Sequence, residues 1–188
     1  MALVELTENN IKKIQIDEGI VVIDLGETSE KVLGPTRGGA EVTITPTIRD
    51  IEYDGRRGKT KGLQVKDGED VSCKIITLDC SQETLLLAIP NAEITASDST
   101  KKIEQGDFGV IKDSSYAKNL AVITKTLDGK FKVVKIKNPM HEGAFGFKAV
   151  QKAENEHNLE LLGHYNYADS DEKIWSIEDA DTNPIASS

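Results

Sequence analysis

The residues best suited to chemistry lie in one glycine-studded stretch, Tyr53–Val71. Between Gly55 and Lys66 this stretch has no carboxylate, whereas the whole chain has a formal net charge of −9. Its cations are Arg56, Arg57, Lys59, Lys61 and Lys66. A basic segment on an acidic chain indicates an acidic partner, either the phosphates of a nucleic acid or the carboxylates of a protein.

Three interpretations of this basic stretch are open. Its cations could contact phosphates, although no aromatic residues alternate with them to stack bases and the rest of the chain is acidic. The stretch could instead contact another copy of the same chain, which would generate rings or filaments. It could also be a solvated loop that has no partner.

The acidic charge that self-association would need is concentrated after Ala153. Nine carboxylates and one lysine, Lys173, follow that residue and carry −8 of the net charge of −9. We expect the acidic partner segment to include Glu154, Glu156, Asp169, Asp171 and Glu172. The sequence therefore predicts an electrically asymmetric protein, with a basic loop and an acidic C-terminal fifth.

No pattern in the sequence predicts catalysis or a bound cofactor. Gly58-Lys59-Thr60 is similar to the end of a phosphate-binding loop, but Tyr53 stands where that motif needs its first glycine. A nucleophile elbow and a Cys/His arrangement are both missing. The carboxylate pairs Glu154/Glu156 and Asp169/Asp171 lack the glycine and later glutamate of a calcium-binding loop. We expect no enzymatic activity, no cofactor and no metal.

The histidines and cysteines are likewise not expected to form a site. His141, His157 and His164 have no metal-ligand spacing, and each is expected at the surface. Cys73 and Cys80 are seven positions apart in one predicted strand, which puts them on opposite faces, so we expect two free, buried thiols. Free thiols are typical of a reducing cytoplasm. The apolar runs are too short to cross a bilayer, and no secretory signal is expected.

The elements that must position these residues are mainly strands. Gly19–Leu25 is a β-branched run typical of a strand buried on both faces. Apolar residues alternate from Val42 to Ile48 and then change parity, which predicts a bulge or bend near Arg49–Asp50. Pro46 within this run indicates a sheet edge or a bulge.

The second half of the chain predicts one helix and several further strands. Val71–Cys80 is expected to be a strand, followed by the only helix at 81–89, with Ser81 as its N-cap. Asp128-Gly129 predicts a two-residue hairpin turn in which Ile123 opposes Val134 and Ala121 opposes Ile136. Alternation also predicts strands through Phe145, Phe147 and Ala149, and through Leu159, Leu161, Tyr165 and Tyr167. Residues 181–188 are expected to be a disordered tail.

These elements together predict an all-β fold in one domain spanning residues 1–180. We expect a sandwich or barrel of two packed, mainly antiparallel sheets, with one short flanking helix and a long inter-strand loop at Tyr53–Val71.

Several segments, in order along most of the chain, resemble the tail tube proteins (major tail proteins) of long-tailed bacteriophages and prophages. The resemblance rests on glycines, turns and strand spacing. Its segments are Ile16–Gly26, Leu33–Gly39, Ile48–Leu63, Phe147–Val150, Leu159–Tyr167 and Asp169–Ile177. This family is related to the tube proteins of contractile tails and of type VI secretion.

The resemblance implies a subunit of two packed β-sheets with a flanking helix that forms hexameric rings. Inner strands of the six copies would close into a continuous barrel, and the rings would stack through a long loop and terminal arms. By position, Tyr53–Val71 matches that stacking loop. DNA would pass through the lumen, which in this family tends to be acidic and so repels DNA.

We therefore expect a structural, non-enzymatic subunit of a virion tail, assembled in the cytoplasm of the host bacterium. Its partners would be further copies of itself and other tail proteins, namely the tape measure, initiator and terminator, with no specific DNA binding and no membrane. The alternative is a monomeric or trimeric β-sandwich module that decorates a phage particle or binds carbohydrate. A nucleic-acid-binding protein is the third possibility.

Overall fold

The protein folds as a sandwich of two antiparallel β-sheets, as expected, with short helices at its edges. A computed structural model describes residues 7–16, 19–55, 57–96, 100–148, 151–169 and 171–187. Within these ranges the two sheets do not close into a barrel. None of the described helices is long and apolar enough to cross a membrane.

The regular elements follow one another along the chain with eleven strands and two short α-helices. They are α1 (Glu8–Lys12), β1 (Ile20–Ile23), β2 (Lys31–Val32), β3 (Thr36–Asp50), β4 (Gln64–Thr77), α2 (Gln82–Leu87), β5 (Glu93–Ala96), β6 (Lys101–Glu104), β7 (Asn119–Lys125), β8 (Phe131–Lys137), β9 (Met140–His141), β10 (His157–Leu162) and β11 (Trp175–Ala180).

The strands fall into two main sheets and one small hairpin. The first sheet has the order β11-β8-β7-β1-β2 and the second has the order β3-β4-β10-β9, while β5 and β6 pair only with each other. β3 is therefore an edge strand, which confirms the interpretation of Pro46, because an edge position needs no donor from that residue.

The main core lies between the two sheets. Alternate residues of β1, β4, β7, β8 and β10 point into it, and their burial supplies the main driving force for packing the sheets. The buried strand residues are Val21, Ile23, Val71, Cys73, Ile75, Leu120, Val122, Ile136, Leu159 and Leu161.

A second apolar cluster covers the outer face of the first sheet. Val22, Ala121, Ile123 and Val133 are buried there, so β1 is enclosed on both faces, as its β-branched run predicted. Ile185 packs against this cluster from a 3₁₀ turn at Pro184–Ser187. The expectation of a disordered tail at 181–188 therefore does not hold for residues 181–187, because Ile185 packs on a core face, while Ser188 lies outside the described residues.

The predicted helix is present but shorter than expected. The Ser81 side chain accepts a hydrogen bond from the backbone N–H of Thr84, so the predicted N-cap is confirmed. The helix ends at Leu87 rather than at residue 89, because the last N–H groups bond carbonyls three residues back in a tighter turn. It is not the only helix, since α1 begins after a second side-chain cap, Thr7.

The β7–β8 hairpin has the predicted turn residues in a different register. Thr126 donates its N–H to Lys130 O and Gly129 has a φ of 86°, which makes a loop of three residues rather than two. Ile123 therefore pairs with Val133, not Val134, and Ala121 with Lys135, not Ile136. One additional loop residue shifts every cross-strand pair by one position.

Two of the alternating segments after residue 140 are not strands over their full predicted length. Residues 142–148 contain no strand, and Ala149 lies outside the described residues. β10 ends at Leu162, so only the first half of the Leu159–Tyr167 alternation is strand, and Tyr165 and Tyr167 are exposed.

Candidate functional site

The basic stretch forms the end of a long β-ribbon. β3 and β4 remain paired as far as Asp50 and Gln64, whereas β10 pairs with β4 only from Ser72 to Thr77. Beyond that point the ribbon has two strands, which the connecting residues 51–63 close. We refer to residues 45–70 as the arm; its strands alone extend about 20 Å at roughly 3.3 Å per residue.

The loop predicted at Tyr53–Val71 is therefore shorter in the structure, because its C-terminal residues belong to a strand. Gln64–Val71 belongs to β4, so Lys66 is a strand residue and not part of the loop. Residues 64–70 are almost entirely exposed, and without a buried face they lack the apolar alternation that predicts a strand.

The predicted bulge lies on the opposite strand. Thr47 pairs with Gly68 and Ile48 pairs with Lys66, so the extra residue is Asp67 of β4, while β3 continues through Arg49–Asp50. The Arg49 guanidinium holds the bulge, with its Nε 2.8 Å from the Asp67 carboxylate. That hydrogen bond also raises the pKa of Arg49.

A carboxylate fixes the base of the arm to the first sheet. Trp175 of β11 donates its Nε1–H to Glu69 Oε2 at 2.6 Å, and the same carboxylate pairs with Lys66. The hydrogen bonds from Lys66 and then from Trp175 lower the pKa of Glu69. Lys66 is thus engaged within its own chain, and the cations available to a partner are nearer the tip.

The arm exposes large apolar side chains. Ile48 is 58% exposed, Ile51 42%, Tyr53 52% and Val65 36%. The register puts Val65 opposite Arg49 and so on the other face of the ribbon from Ile48. An isolated two-stranded ribbon is at best marginally stable in water, and exposed apolar surface is typical of interaction sites.

The tip of the arm carries cations without ion-pair partners. Arg57, Lys59 and Lys61 are exposed, and none forms a salt bridge with a described carboxylate. Arg56, the fourth predicted cation, lies outside the described residues. The tip can therefore offer its positive charge to another molecule.

The acidic C-terminal segment is much less available than its composition suggests. Seven of its nine carboxylates pair with cations of the same chain. Of the predicted partner residues, Glu154 and Glu156 bind Arg37, and Glu172 lies 2.7 Å from Lys137. Asp169 and Asp171 have no cationic partner among the described residues. The predicted charge asymmetry is thus largely neutralised by the fold.

Much of this neutralisation comes from cross-strand pairs between β8 and β11. The pairing of these two neighbouring strands brings the lysines of one close to the carboxylates of the other. The pairs are Lys130–Asp181, Lys132–Asp179 and Lys135–Glu178. These two strands are separated by residues 138–174, so their pairing and register could not be predicted from a local sequence pattern.

The expectation that all three histidines lie at the surface is wrong. His141 and His157 are each 1% exposed, and His164 is half-buried. His141 accepts the backbone N–H of Glu160 through Nδ1 at 2.9 Å, and His164 contacts Asn138 O and the Glu142 carboxylate. These backbone partners belong to neighbouring strands or turns, which a sequence pattern does not identify.

The fold also creates a Cys/His arrangement that the sequence did not reveal. Cys80 lies beyond the end of β4 and is exposed, contrary to the expectation of a buried strand thiol. Its Sγ is 3.0 Å from Nε2 of His157, 77 residues away in the chain. Cys73 is free and buried, as expected, and burial raises the pKa of its thiol to about 12.

The described residues contain no group of three or more His, Cys, Asp or Glu side chains that could hold a metal ion. The geometry of the site is thus that of an exposed arm with apolar and basic residues, together with a separate thiol–imidazole pair. No protein-family model matches the sequence, and no curated protein matches it significantly.

Proposed function

We propose that this chain is the structural subunit of a bacteriophage or prophage tail tube, which self-assembles into hexameric rings that stack through the arm. The observation that carries the proposal is the arm itself, a two-stranded ribbon with exposed apolar side chains and, at its tip, three cations that make no ion pair with a described residue. Such a ribbon is stabilised when a neighbouring molecule covers it. The resemblance of the sequence to tail tube proteins supports an assembly of stacked hexameric rings.

The open edges of the sheets support ring formation. β3, β2 and β11 are edge strands, and β3 offers a long row of backbone groups to a neighbour. Unprotected edges favour pairing with further chains, and closure of a ring removes them. The tape measure, initiator and terminator proteins would be further partners of such a tube in the virion tail, which would assemble in the host cytoplasm.

The net charge of −9 supports a lumen that DNA crosses without specific binding. Like charge on the lumen wall disfavours the counterion release that drives most DNA binding. The role is structural and requires no enzymatic activity or cofactor.

A direct test is to concentrate the purified chain and follow its assembly by sedimentation and negative-stain microscopy. Rings or tubes are expected. A chain that remains monomeric, alone and with tail initiator proteins, would favour the alternative of a monomeric β-sandwich binding module. A mobility shift with DNA at low salt would favour the nucleic-acid interpretation of the arm.

A charge swap tests which surface receives the arm. Asp169 and Asp171 are the carboxylates of the predicted acidic segment that make no ion pair with a described residue, so they are the best candidates for contact with the tip of a neighbouring arm. Lys59→Glu with Lys61→Glu should weaken assembly, and so should Asp169→Lys with Asp171→Lys. All four substitutions together should restore it, because the opposite charges are exchanged.

The matched control for the arm reversal is Lys125→Glu with Lys148→Glu. These two lysines are exposed, lie outside the arm and make no ion pair with a described residue, so the change in net charge is the same. The control should assemble normally. If it assembles as poorly as the arm variant, net charge and not the arm controls assembly. If the four-fold variant is not restored, Asp169 and Asp171 are not the receiving surface.

A further inference from the structure

The contact between Cys80 and His157 lies at the opposite end of β4 from the arm and has no part in the proposed assembly. Cys80 is exposed, whereas His157 is 1% exposed, so one partner faces solvent and the other is fixed in the protein interior. Phe145 and Phe147 stack with the imidazole at centroid distances of 5.6 and 5.8 Å. The ring is therefore held in place, with Nε2 directed at the sulfur.

The surroundings indicate which nitrogen of His157 carries the proton. Nδ1 is buried and has no hydrogen-bond partner among the described residues, whereas Nε2 lies 3.0 Å from Cys80 Sγ. A buried N–H without an acceptor is costly and rare, so the proton belongs on Nε2. His157 then donates to the sulfur, and the thiol hydrogen points towards Leu78 O at 3.9 Å.

In this arrangement Nε2–H of His157 is placed to donate to the sulfur of Cys80 while that sulfur reacts. A hydrogen bond to a charged acceptor is stronger than one to a neutral acceptor, so the bond from Nε2–H strengthens when the sulfur loses its proton. The nearby Asp79 carboxylate opposes the thiolate, but its charge is compensated by hydrogen bonds from Ser81 and Thr84 and by Lys31 Nζ at 3.9 Å. The thiolate is the nucleophilic form of cysteine.

We propose that Cys80 is a modification site at which the protein forms mixed disulfides with small disulfides, assisted by His157. The thiol proton leaves to solvent, and the thiolate sulfur attacks one sulfur of the small disulfide. A new S–S bond forms as the old one breaks, and the leaving thiolate takes a proton from solvent. The number of disulfide bonds is unchanged, so the small disulfide is the only co-reactant.

The second cysteine provides an internal control in the same molecule. Cys73 is 0% exposed, and its thiol lies in the core between the two sheets. It should react only when the chain unfolds. Protection of Cys73 therefore reports, in every variant, that the fold is intact while Cys80 is being measured.

The full chain is incubated with oxidised glutathione, and mass spectrometry of its peptides identifies the modified cysteine. Reaction rates are measured separately with the neutral reagent dithiodipyridine. One glutathione is expected on Cys80 and none on Cys73. At neutral pH the native Cys80 thiol should react about three-fold faster than the thiols of the same chain unfolded in denaturant, because stabilising the attacking sulfur also lowers its intrinsic nucleophilicity. A native rate at or below the unfolded rate overturns the proposal, and this comparison needs no variant.

Two substitutions test the role of His157. His157→Gln retains an N–H donor near the position of Nε2 and should keep most of the rate enhancement. His157→Phe keeps an aromatic ring between Phe145 and Phe147 but has no donor, so the rate should fall about three-fold, to that of the unfolded chain. A His157→Phe variant that reacts as fast as the parent while Cys73 stays protected overturns the role of His157. If Cys73 becomes reactive in His157→Phe, that variant is not folded and gives no test. The proposal is then judged by the rates of His157→Gln and of the parent protein relative to the unfolded chain.

Discussion

The proposed function depends on contacts made by the arm, and substitution of its exposed apolar residues tests those contacts most directly. Ile48 lies in β3, whereas Ile51 and Tyr53 lie in the connecting segment 51–63. Substitution of all three with threonine keeps a β-branched residue in the strand in place of Ile48. It removes most of the apolar surface that the β3 side of the arm exposes. The monomer should remain folded, because none of these residues is in either core cluster.

The expected magnitude follows from the exposed fractions. These are 58% for Ile48, 42% for Ile51 and 52% for Tyr53, which together amount to about one and a half side chains. Burial of a whole large apolar side chain contributes about 2 kcal/mol, so covering this surface in an assembly contributes about 3 kcal/mol per subunit. The concentration needed for assembly should therefore rise about 100-fold in the variant.

Sedimentation over a range of concentrations measures that threshold directly. The matched control replaces Ile94, Leu127 and Tyr165 with threonine, since these residues are 38%, 46% and 51% exposed and lie outside the arm. The control should shift the threshold far less. Equal thresholds for the parent and the arm variant would refute the inference that a neighbour covers the arm.

Three further predictions concern the fold that supports the site. Burial raises the pKa of the Cys73 thiol from the ordinary value of 9.0 to about 12. Between these two pH values the thiol keeps its proton in the native state but loses it in the unfolded state, so the free energy of unfolding falls as pH rises above 9. By about pH 10.5 the parent should lose about 2 kcal/mol more than Cys73→Ala in urea unfolding, and equal losses would contradict burial of the thiol. Gly163→Ala would bring its Cβ to 2.7 Å from side chains of both sheets and should cost about 1–3 kcal/mol, whereas Gly146→Ala has open space and should cost under about 0.5 kcal/mol. The lowered pKa of Glu69 means that its carboxylate, and with it the bond from Trp175, persists to pH values below the usual glutamate range and is lost as pH falls further. The fluorescence of this single tryptophan should therefore change at a midpoint below pH 4.5 in the parent and not in Glu69→Gln.

The parts of the fold that the sequence predicts correctly depend on local signals. The β-branched run at Gly19–Leu25 can be enclosed on both faces because neither face carries a polar side chain before Asp24. Ser81 caps its helix through an N–H only three residues away. Pro46 excludes a central position because one residue lacks a donor. Each of these inferences needs only a few neighbouring residues.

The inferences that fail depend on which segments meet in space. The arm strands at 64–70 have no buried face, so their pairing with β3 leaves no periodic signal. The register of β7 and β8 depends on one additional loop residue near Gly129. The contact between Cys80 and His157 requires β4 and β10 to be neighbours, because the two residues are 77 positions apart.

The ion pairs that the acidic segment makes within the chain limit how much electrostatic attraction can stabilise the proposed assembly. Its net charge of −8 in the sequence suggested a strong attraction for the basic arm, yet seven of its nine carboxylates are already paired within the chain. Exposed ion pairs contribute only about 0–1 kcal/mol each, and salt screens them over about 8 Å at physiological ionic strength. Only two carboxylates of this segment, Asp169 and Asp171, therefore remain without an ion pair to a described residue, and we expect apolar burial to supply most of the stability of the contact. We accordingly expect the threonine variant of the arm to raise the assembly threshold more than Lys59→Glu with Lys61→Glu does, and the difference to widen as salt is added.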